Sequence, residues 1–321
     1  MGVAETVDVL IIGSGPAGCT AALYAARANL KVLVVAGYES GGQLMITSDV
    51  ENYPGFETAI TGPELMGRMR KQAERFGAKF LDEDATVVDF TGRPFTATSD
   101  SGVHTGRSVI IATGSAAKWL GLESETRLRG HGVSACATCD GFFFQQKRVV
   151  VVGGGDSAME EALFLTKFAT EVTIVHRRDA FRASKIMQAR ALAHPKIKVM
   201  WNTTVTELLG KDHVEGVRLK DVVKGTESTL ACEGYFSAIG HTPNTALFKG
   251  QVRLDEAGYI VVEGPHETCT SVEGVFAAGD VFDHRYKQAV TAAGSGCKAA
   301  IDAEKWLEGQ KALLEQATAQ A

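Results

Sequence analysis

The chain has 321 residues, 45% of them hydrophobic, and a formal net charge of −5. That length suits about two domains, each able to bury a core. The mild acidity leaves no footprint for nucleic acid, which needs clustered positive charge to displace counterions from phosphates. Glycine is abundant at 35 residues, against a usual share of about 7%, as expected of several close backbone turns around ligands.

Met1 leads through a few polar residues into a strand, with no basic region or cleavable apolar segment, so a cytoplasmic location is expected. Gly2 with Thr6 fits only a loose acylation pattern and is read as an ordinary short start. Val9 to Ala26 is uncharged over nearly the length of a membrane span. Gly13-Ser14-Gly15-Pro16 in its middle would break any helix, so no membrane contact is expected.

Val7 to Ile12 reads as a strand buried on both faces. Gly13-Ser14-Gly15-Pro16-Ala17-Gly18 follows it and opens a helix, Cys19 to Ala28. A G-x-G-x-x-G run in that context is a dinucleotide signal: the glycines let backbone N–H groups approach a pyrophosphate, and the helix points its positive end at that charge. Lys31 to Val35 is the second strand. The place after it that usually holds an acid for the ribose is Ala36, and nearby Glu39 is equally well read as a ribose ligand or as a solvated carboxylate. Gly41-Gly42-Gln43 and Glu51 to Gly55 are polar turns. Glu64 to Phe76 is an amphipathic helix. Short strands follow around Phe80 to Phe90 and Phe95 to Thr98, then an apolar one at Ser108 to Ala112, closed by Thr113-Gly114-Ser115. Polar composition from there to Arg129 marks a domain boundary.

Cys136-Ala137-Thr138-Cys139-Asp140 comes next. Two thiols at this spacing beside an acid suit a redox dithiol, one thiol of which is acidified to a pKa of roughly 7. Half a zinc site and an inert pair of small residues are the alternatives. Zinc needs four ligands, and with no second Cys-x-x-Cys no metal is expected. Cys19, Cys232, Cys269 and Cys297 read as buried small residues. Phe142-Phe143-Phe144 cannot all face one core in a strand, because successive side chains point to opposite sides.

The chain then repeats itself. Val149 to Val152 and Gly153-Gly154-Gly155-Asp156-Ser157-Ala158 restate the first strand and turn 140 positions later, and the next strand, Glu171 to Val175, keeps that offset. Two nucleotide-binding domains of similar build are expected. After the second unit's strand come His176-Arg177-Arg178, with Arg182 beyond them, so cations fill the place of the ribose acid. Guanidinium groups there accommodate a 2′-phosphate. Val199 to Thr206, Val214 to Leu219 and Thr229 to Glu233 suggest a small sheet. Tyr235 to Gly240 leads to a return crossing at His241 to Asn244, and Val275 to Ala278 is a last strand ending in Gly279-Asp280. A carboxylate leaving a buried strand could take a sugar or ribityl hydroxyl. Gln288 to Leu307 reads as a small-residue helix and the Ala/Gln-rich tail beyond as frayed.

Together Gly13 to Gly18, Cys136 to Asp140, Gly153 to Ala158, His176 to Arg178 with Arg182, and Gly279-Asp280 closely resemble the low-molecular-weight thioredoxin reductases over nearly the whole chain. The resemblance implies an α/β fold of three-layer type with two Rossmann-like domains. An FAD domain (1–116 and 246–321) would be interrupted by an NADPH domain (117–245) that carries the dithiol and swings on linkers near Ala116 to Lys118 and His241 to Ala246. It implies FAD contacts at Gly13, Gly15, Pro16, Ala17, Gly18, Gly42, Gln43, Asn52, Asp280, Gln288 and Ala289. Lys287 stands where the family has Arg. NADPH contacts are implied at Gly153, Gly155, Asp156, Ser157, Ala158, His176, Arg177, Arg178 and Arg182.

The implied reaction runs from NADPH to FAD, to the Cys136/Cys139 disulfide and to oxidised thioredoxin, with Asp140 as acid, Cys139 facing the flavin and Cys136 attacking the substrate. Thioredoxin docking through Phe142 and Phe143, and a homodimer, are also implied. A flavoprotein reducing another disulfide, or a non-catalytic NADPH-sensing flavoprotein, are the competing readings. A dithiol oxidase is disfavoured because it would not need the arginines.

Overall fold

The computed structural model describes residues 6–47 and 49–319; Gly2 lies outside them. The 140-residue offset extends to hydrogen-bond register. Val9 to Ile12 pair in parallel with Val32 to Val35, and Val149 to Val152 pair in parallel with Val172 to Val175. Each pair of strands seeds one compact unit. One unit comprises the chain up to Ala116 and from Thr242 onward, the other Ala117–His241.

In the first unit, parallel strands run in the order Lys79–Leu81, Val32–Val35, Val7–Ile12, Gly102–Ile111 and Val275–Ala277. The early half of Gly102–Ile111 also extends the sheet through antiparallel Phe95–Ser99 and Val87–Asp89. The short strand signals around Phe80 to Phe90 thus fall on two strands, Lys79–Leu81 and Val87–Asp89. Alternation along the first strand fills both faces. Val9 and Ile11 pack with Ala21, Ala25, Ala299 and Ala303 from helices Pro16–Arg27 and Ala289–Ala319. Leu10 and Ile12 pack on the other side with Phe95, Phe248 and Ile260. Only Asp8, at the strand's start, is charged; it pairs with Arg107 at 3.2 Å.

The second unit follows the same plan. Its five-stranded parallel sheet has the order Ile197–Met200, Glu171–Val175, Arg148–Val152, Gly234–Ser237, Val133–Ser134. Val149 and Val151 face helix Asp156–Leu165 through Met159 and Ala162. Val150 and Val152 face a three-stranded antiparallel sheet, Thr203–Leu209, Gly216–Asp221 and Glu227–Ala231, through Val205, Leu208 and Val217. Both units are therefore three-layer α/β. Fully buried Glu125 anchors the start of this unit: its carboxylate accepts the N–H groups of Leu120 (3.2 Å) and Gly121 (3.0 Å) and the Tyr235 hydroxyl (2.9 Å).

Four boundaries differ from expectation. Val199 to Thr206 is two strands in different sheets, because Asn202 turns the chain at φ 53°. Helix Lys185–Leu192 carries no apolar stripe, exposing Ile186 and Leu192, and gives no periodic signal. The final helix does not fray after Leu307 but runs to Ala319, since Ala, Leu, Lys, Glu and Gln are all strong helix formers. The units divide between His241 and Thr242, within the crossing read at His241 to Asn244 and short of the domain end at 245 that the resemblance implied. Asn244 already belongs to the first unit: its N–H reaches the Gly114 carbonyl (2.9 Å) and its side chain the Thr113 carbonyl (2.8 Å). The crossing segments Ser115–Ala117 and His241–Pro243 pair as a two-stranded ribbon. Among the described residues no helix is long and apolar enough to cross a membrane.

Helix contact in the first unit depends on missing side chains. A Cβ at Gly296 would lie 2.2 Å from the Ala17 carbonyl oxygen, whereas one at Gly309 on the same helix would meet nothing within 4 Å. Gly296→Ala should therefore lower stability by about 1–3 kcal/mol through overpacking, while Gly309→Ala is neutral or raises it by up to about 1 kcal/mol through helix propensity. Thermal denaturation of the two variants side by side checks the contrast.

Candidate active site

Cys136 and Cys139 are joined in a disulfide, with Cα atoms 5.3 Å apart. Cys136 ends an extended segment and caps the short helix Ala137–Asp140, its Sγ accepting the Cys139 N–H at 3.2 Å. Ser134 braces the turn, its Oγ accepting the Cys136 N–H at 3.0 Å. Cys139 is exposed and Cys136 half-buried. Burial pushes the Asp140 carboxyl above its ordinary range, against a hydrogen bond with the Ser134 side chain that lowers it. Among the described residues no group of three or more His, Cys, Asp or Glu is placed to hold a metal ion. The phenylalanines form a 3₁₀ turn, Gly141–Phe144, rather than a strand. Phe144 is buried against Phe236 (ring centroids 5.0 Å), while Phe142 is 56% and Phe143 40% exposed.

The first glycine turn brings together most of the residues singled out in its unit. A Cβ at Gly13 would sit 2.4 Å from the Ala112 carbonyl oxygen, and one at Gly18 2.0 Å from that of Gly13. Gly15 faces open space. Pro16 takes the first helical position, where no N–H is required, and Ala17 packs on the final helix. Gly42 lies beside Gly15, its Cβ position 3.5 Å from the Gly15 Cα. The Gln43 side chain donates to the Ser115 carbonyl. The Asn52 amide donates to the Gln288 side chain at 3.3 Å, joining positions 236 residues apart, and Ala289 begins the final helix.

Ala36 is buried, and its carbonyl accepts the Ser14 hydroxyl at 2.7 Å; Glu39 is exposed. Asp280 is half-buried, and no donor among the described residues hydrogen-bonds its carboxylate. Burial, reinforced by the Asp283 charge and partly relieved by Lys287, pushes its pKa up to about 7. An open glycine face at a helix N-terminus and an acid awaiting a donor fit a dinucleotide with a hydroxylated chain.

The second turn has the same plan. A Cβ at Gly153 would meet the Ala238 carbonyl oxygen at 2.4 Å and the Ala158 Cβ at 2.6 Å, while Gly155 faces open space. Ser157 is exposed at the start of the helix and Ala158 is buried. His176, grouped with the cations in the sequence, is not one of them. Its ring lies under the turn, so close that a Cβ on Gly154 would be 2.2 Å away, and it packs against Phe181 at 5.3 Å. Burial lowers its pKa, with Arg178 and Arg182 acting in the same direction, and the ring stays neutral near pH 7. The cationic cluster is therefore Arg177, Arg178 and Arg182, all exposed and with no ion-pair partner among the described residues.

Asp156 also has a partner within the chain. Its Oδ1 accepts both the N–H (2.9 Å) and the hydroxyl (2.8 Å) of Ser184. Ser184, like Ser134 and like Ser295, whose hydroxyl accepts the Gly279 N–H at 2.7 Å, escaped sequence reasoning. A lone serine carries no pattern, whether its partner is two residues away, as for Ser134, or 16 and 28 residues away, as for Ser295 and Ser184.

The pyridine nucleotide-disulphide oxidoreductase family matches residues 7–296. A thioredoxin reductase of Mycolicibacterium smegmatis is 58% identical, covering 97% of this chain and all of that protein. One from Streptomyces coelicolor is 55% identical over 94% of each chain. The solved thioredoxin reductase of Giardia duodenalis superposes with a TM-score of 0.91 at 46% identity, covering 95% of this chain and 99% of that one.

The Asp280 geometry has a measurable consequence in the ligand-free protein. A carboxyl raised from about 3.9 in the unfolded chain to about 7 in the fold costs nothing below about pH 4, costs progressively more up to pH 7 and its full amount above that. Asp280→Asn should therefore raise the melting temperature at pH 8 and far less at pH 5, the difference corresponding to roughly 2–4 kcal/mol. Melting curves across pH 5–8 check it, and a pH-independent difference would mean that Asp280 ionises normally.

Proposed function

This chain belongs to the thioredoxin reductases of the pyridine nucleotide-disulphide oxidoreductase family, and we propose that it reduces a thioredoxin disulfide with electrons from NADPH, relayed by FAD and the Cys136/Cys139 pair. The observation that carries this reading is the bonded Cys136–Cys139 pair with half-buried Asp140, on a chain holding two glycine turns of matched register. FAD suits the first turn and Asp280. NADPH suits the second turn, with Arg177, Arg178 and Arg182 available to a 2′-phosphate by charge-assisted hydrogen bonds. Bound FAD would accept a hydride from the nicotinamide and return two electrons to the disulfide. The dithiol and the nicotinamide share one unit, so each would reach the flavin as that unit turns on the crossing segments.

The remaining chemistry belongs to the chain. Two electrons and two protons convert the Cys136–Cys139 disulfide to thiols. The Cys139 N–H that reaches the Cys136 sulfur favours its thiolate, which supports Cys136 as the attacking sulfur. Its attack on the thioredoxin disulfide forms a mixed disulfide and expels one partner thiolate. The Cys139 thiolate then attacks Cys136, expelling the second and restoring the internal disulfide. Asp140, held protonated to higher pH by burial, supplies a proton near the sulfurs. Phe142 and Phe143 offer the partner an exposed aromatic pair beside the dithiol. A homodimer in the cytoplasm completes the reading.

Turnover with NADPH and NADH, offering thioredoxin, glutathione disulfide and oxygen in parallel, tests the assignment; rapid reduction of either alternative acceptor in preference to thioredoxin would overturn it. Within that assay, Arg177→Ala with Arg178→Ala should raise the KM for NADPH at least tenfold with little change for NADH, because a hydrogen bond to a charged group contributes about 1.5–3 kcal/mol. Phe142→Ala with Phe143→Ala should raise the KM for thioredoxin at least tenfold, since a buried aromatic anchor contributes about 2 kcal/mol or more. Thermal stability and the KM for NADPH should stay near wild type.

A further inference from the structure

The loop that carries the arginine cluster is stitched to the second glycine turn. The Arg182 and Ala183 N–H groups both donate to the Gly154 carbonyl, at 2.7 and 3.1 Å. One residue on, Ser184 donates twice to Asp156 Oδ1. Ser184 is the N-cap of helix Lys185–Leu192, a position where a serine hydroxyl ordinarily accepts an N–H of the first turn. Here it makes no such cap; its hydroxyl is directed at Asp156, which ties the start of the helix to a residue 28 positions back.

Asp156 occupies the first position of helix Asp156–Leu165, where the dipole favours a negative charge and where an incoming pyrophosphate would meet a carboxylate. Both Ser184 donors act on one oxygen, which holds the carboxylate against the loop. They also keep it ionised, lowering its pKa. A group held in this way serves poorly as a cofactor ligand and well as a tether.

We propose that Asp156 and Ser184 form a clamp that sets the distance between the glycine turn and the arginine cluster, making both of them positioning residues for discrimination between phosphorylated and unphosphorylated nicotinamide cofactors. The proposal rests on the reading that Arg177, Arg178 and Arg182 receive the 2′-phosphate. With the clamp closed, the 5′-phosphate site at the turn and the 2′-phosphate site on the loop are held at one spacing, and a ligand carrying both phosphates engages them without ordering the loop. With the clamp open, the turn still binds the 5′-phosphate, and the loop must be ordered on binding.

The test is calorimetric binding of adenosine 2′,5′-bisphosphate and of 5′-AMP to the flavin-loaded enzyme. Asp156→Ala and Ser184→Ala should each weaken the bisphosphate about 5–20-fold and change 5′-AMP by less than about twofold. Asp156→Asn, whose amide oxygen can still accept from Ser184, should recover most of the loss. Equal weakening of both ligands, or no weakening of the bisphosphate, overturns the clamp. If Asp156→Ala does not fold, Ser184→Ala, which keeps the backbone donor and removes only the hydroxyl, decides the matter by the same criteria. Arg177→Ala with Arg178→Ala separates the two levels of the argument. If that variant still prefers the bisphosphate, the phosphate-reading role of the cluster fails. If it loses the preference while the clamp variants keep theirs, only the clamp fails.

Discussion

The architecture depends on one steric constraint, the approach of backbone to backbone where a buried strand turns into a helix. At Gly13 and Gly18 in one unit, and at Gly153 in the other, any side chain would collide with a carbonyl oxygen 2.0 to 2.4 Å away. Close contact there lets the helix lie low against the sheet, which in turn aims its unpaired N–H groups at the space above Gly15 or Gly155. The same economy of side chains recurs at Gly296, where the final helix meets Ala17. Because parallel strands pair only through long connections, fixing these turns also fixes where the neighbouring strands and the loops beyond them must run.

Buried carboxylates divide the molecule into parts complete in themselves and parts built for something else. Glu125 is fully buried and meets three donors; its site is finished by the fold. Asp280 is held against a buried strand end with no hydrogen-bond donor among the described residues, a condition that native interiors rarely tolerate without function. The arginine cluster is the cationic counterpart, three exposed guanidinium groups with no ion-pair partner among the described residues. Arg182 is tied to the second glycine turn through its N–H to the Gly154 carbonyl, and Asp280 follows Gly279, whose Cβ position lies 2.9 Å from Ala17 in the first.

Much of this could be read from the residues because the decisive constraints are local. Strand, turn and helix around Gly13 and Gly153 are contiguous in sequence, and their 140-residue offset reappears unchanged as pairing register. The dithiol was equally plain, being four consecutive positions. What stayed hidden depends on tertiary partners. His176 looks like a cation beside two arginines, and only the packing of Phe181 and Gly154 shows that its ring is buried and neutral. Asp156 reads as part of a phosphate-binding turn, and nothing local announces its bond to Ser184, 28 residues away. Helix Lys185–Leu192 has no apolar stripe to announce it, and the last three turns of the final helix persist on propensity, with Leu313 and Leu314 exposed.

The pairing of Ser115–Ala117 with His241–Pro243 means that the chain leaves the first unit and returns to it at neighbouring points. An insertion whose two ends lie side by side imposes almost no span on its host: the gap left by removing it could be closed by a turn of a few residues. The second unit is in this sense a cassette. Its sheet, its glycine turn and its dithiol travel together through one doorway, so a gene encoding this fold could exchange that whole cassette while leaving the first unit's sheet intact.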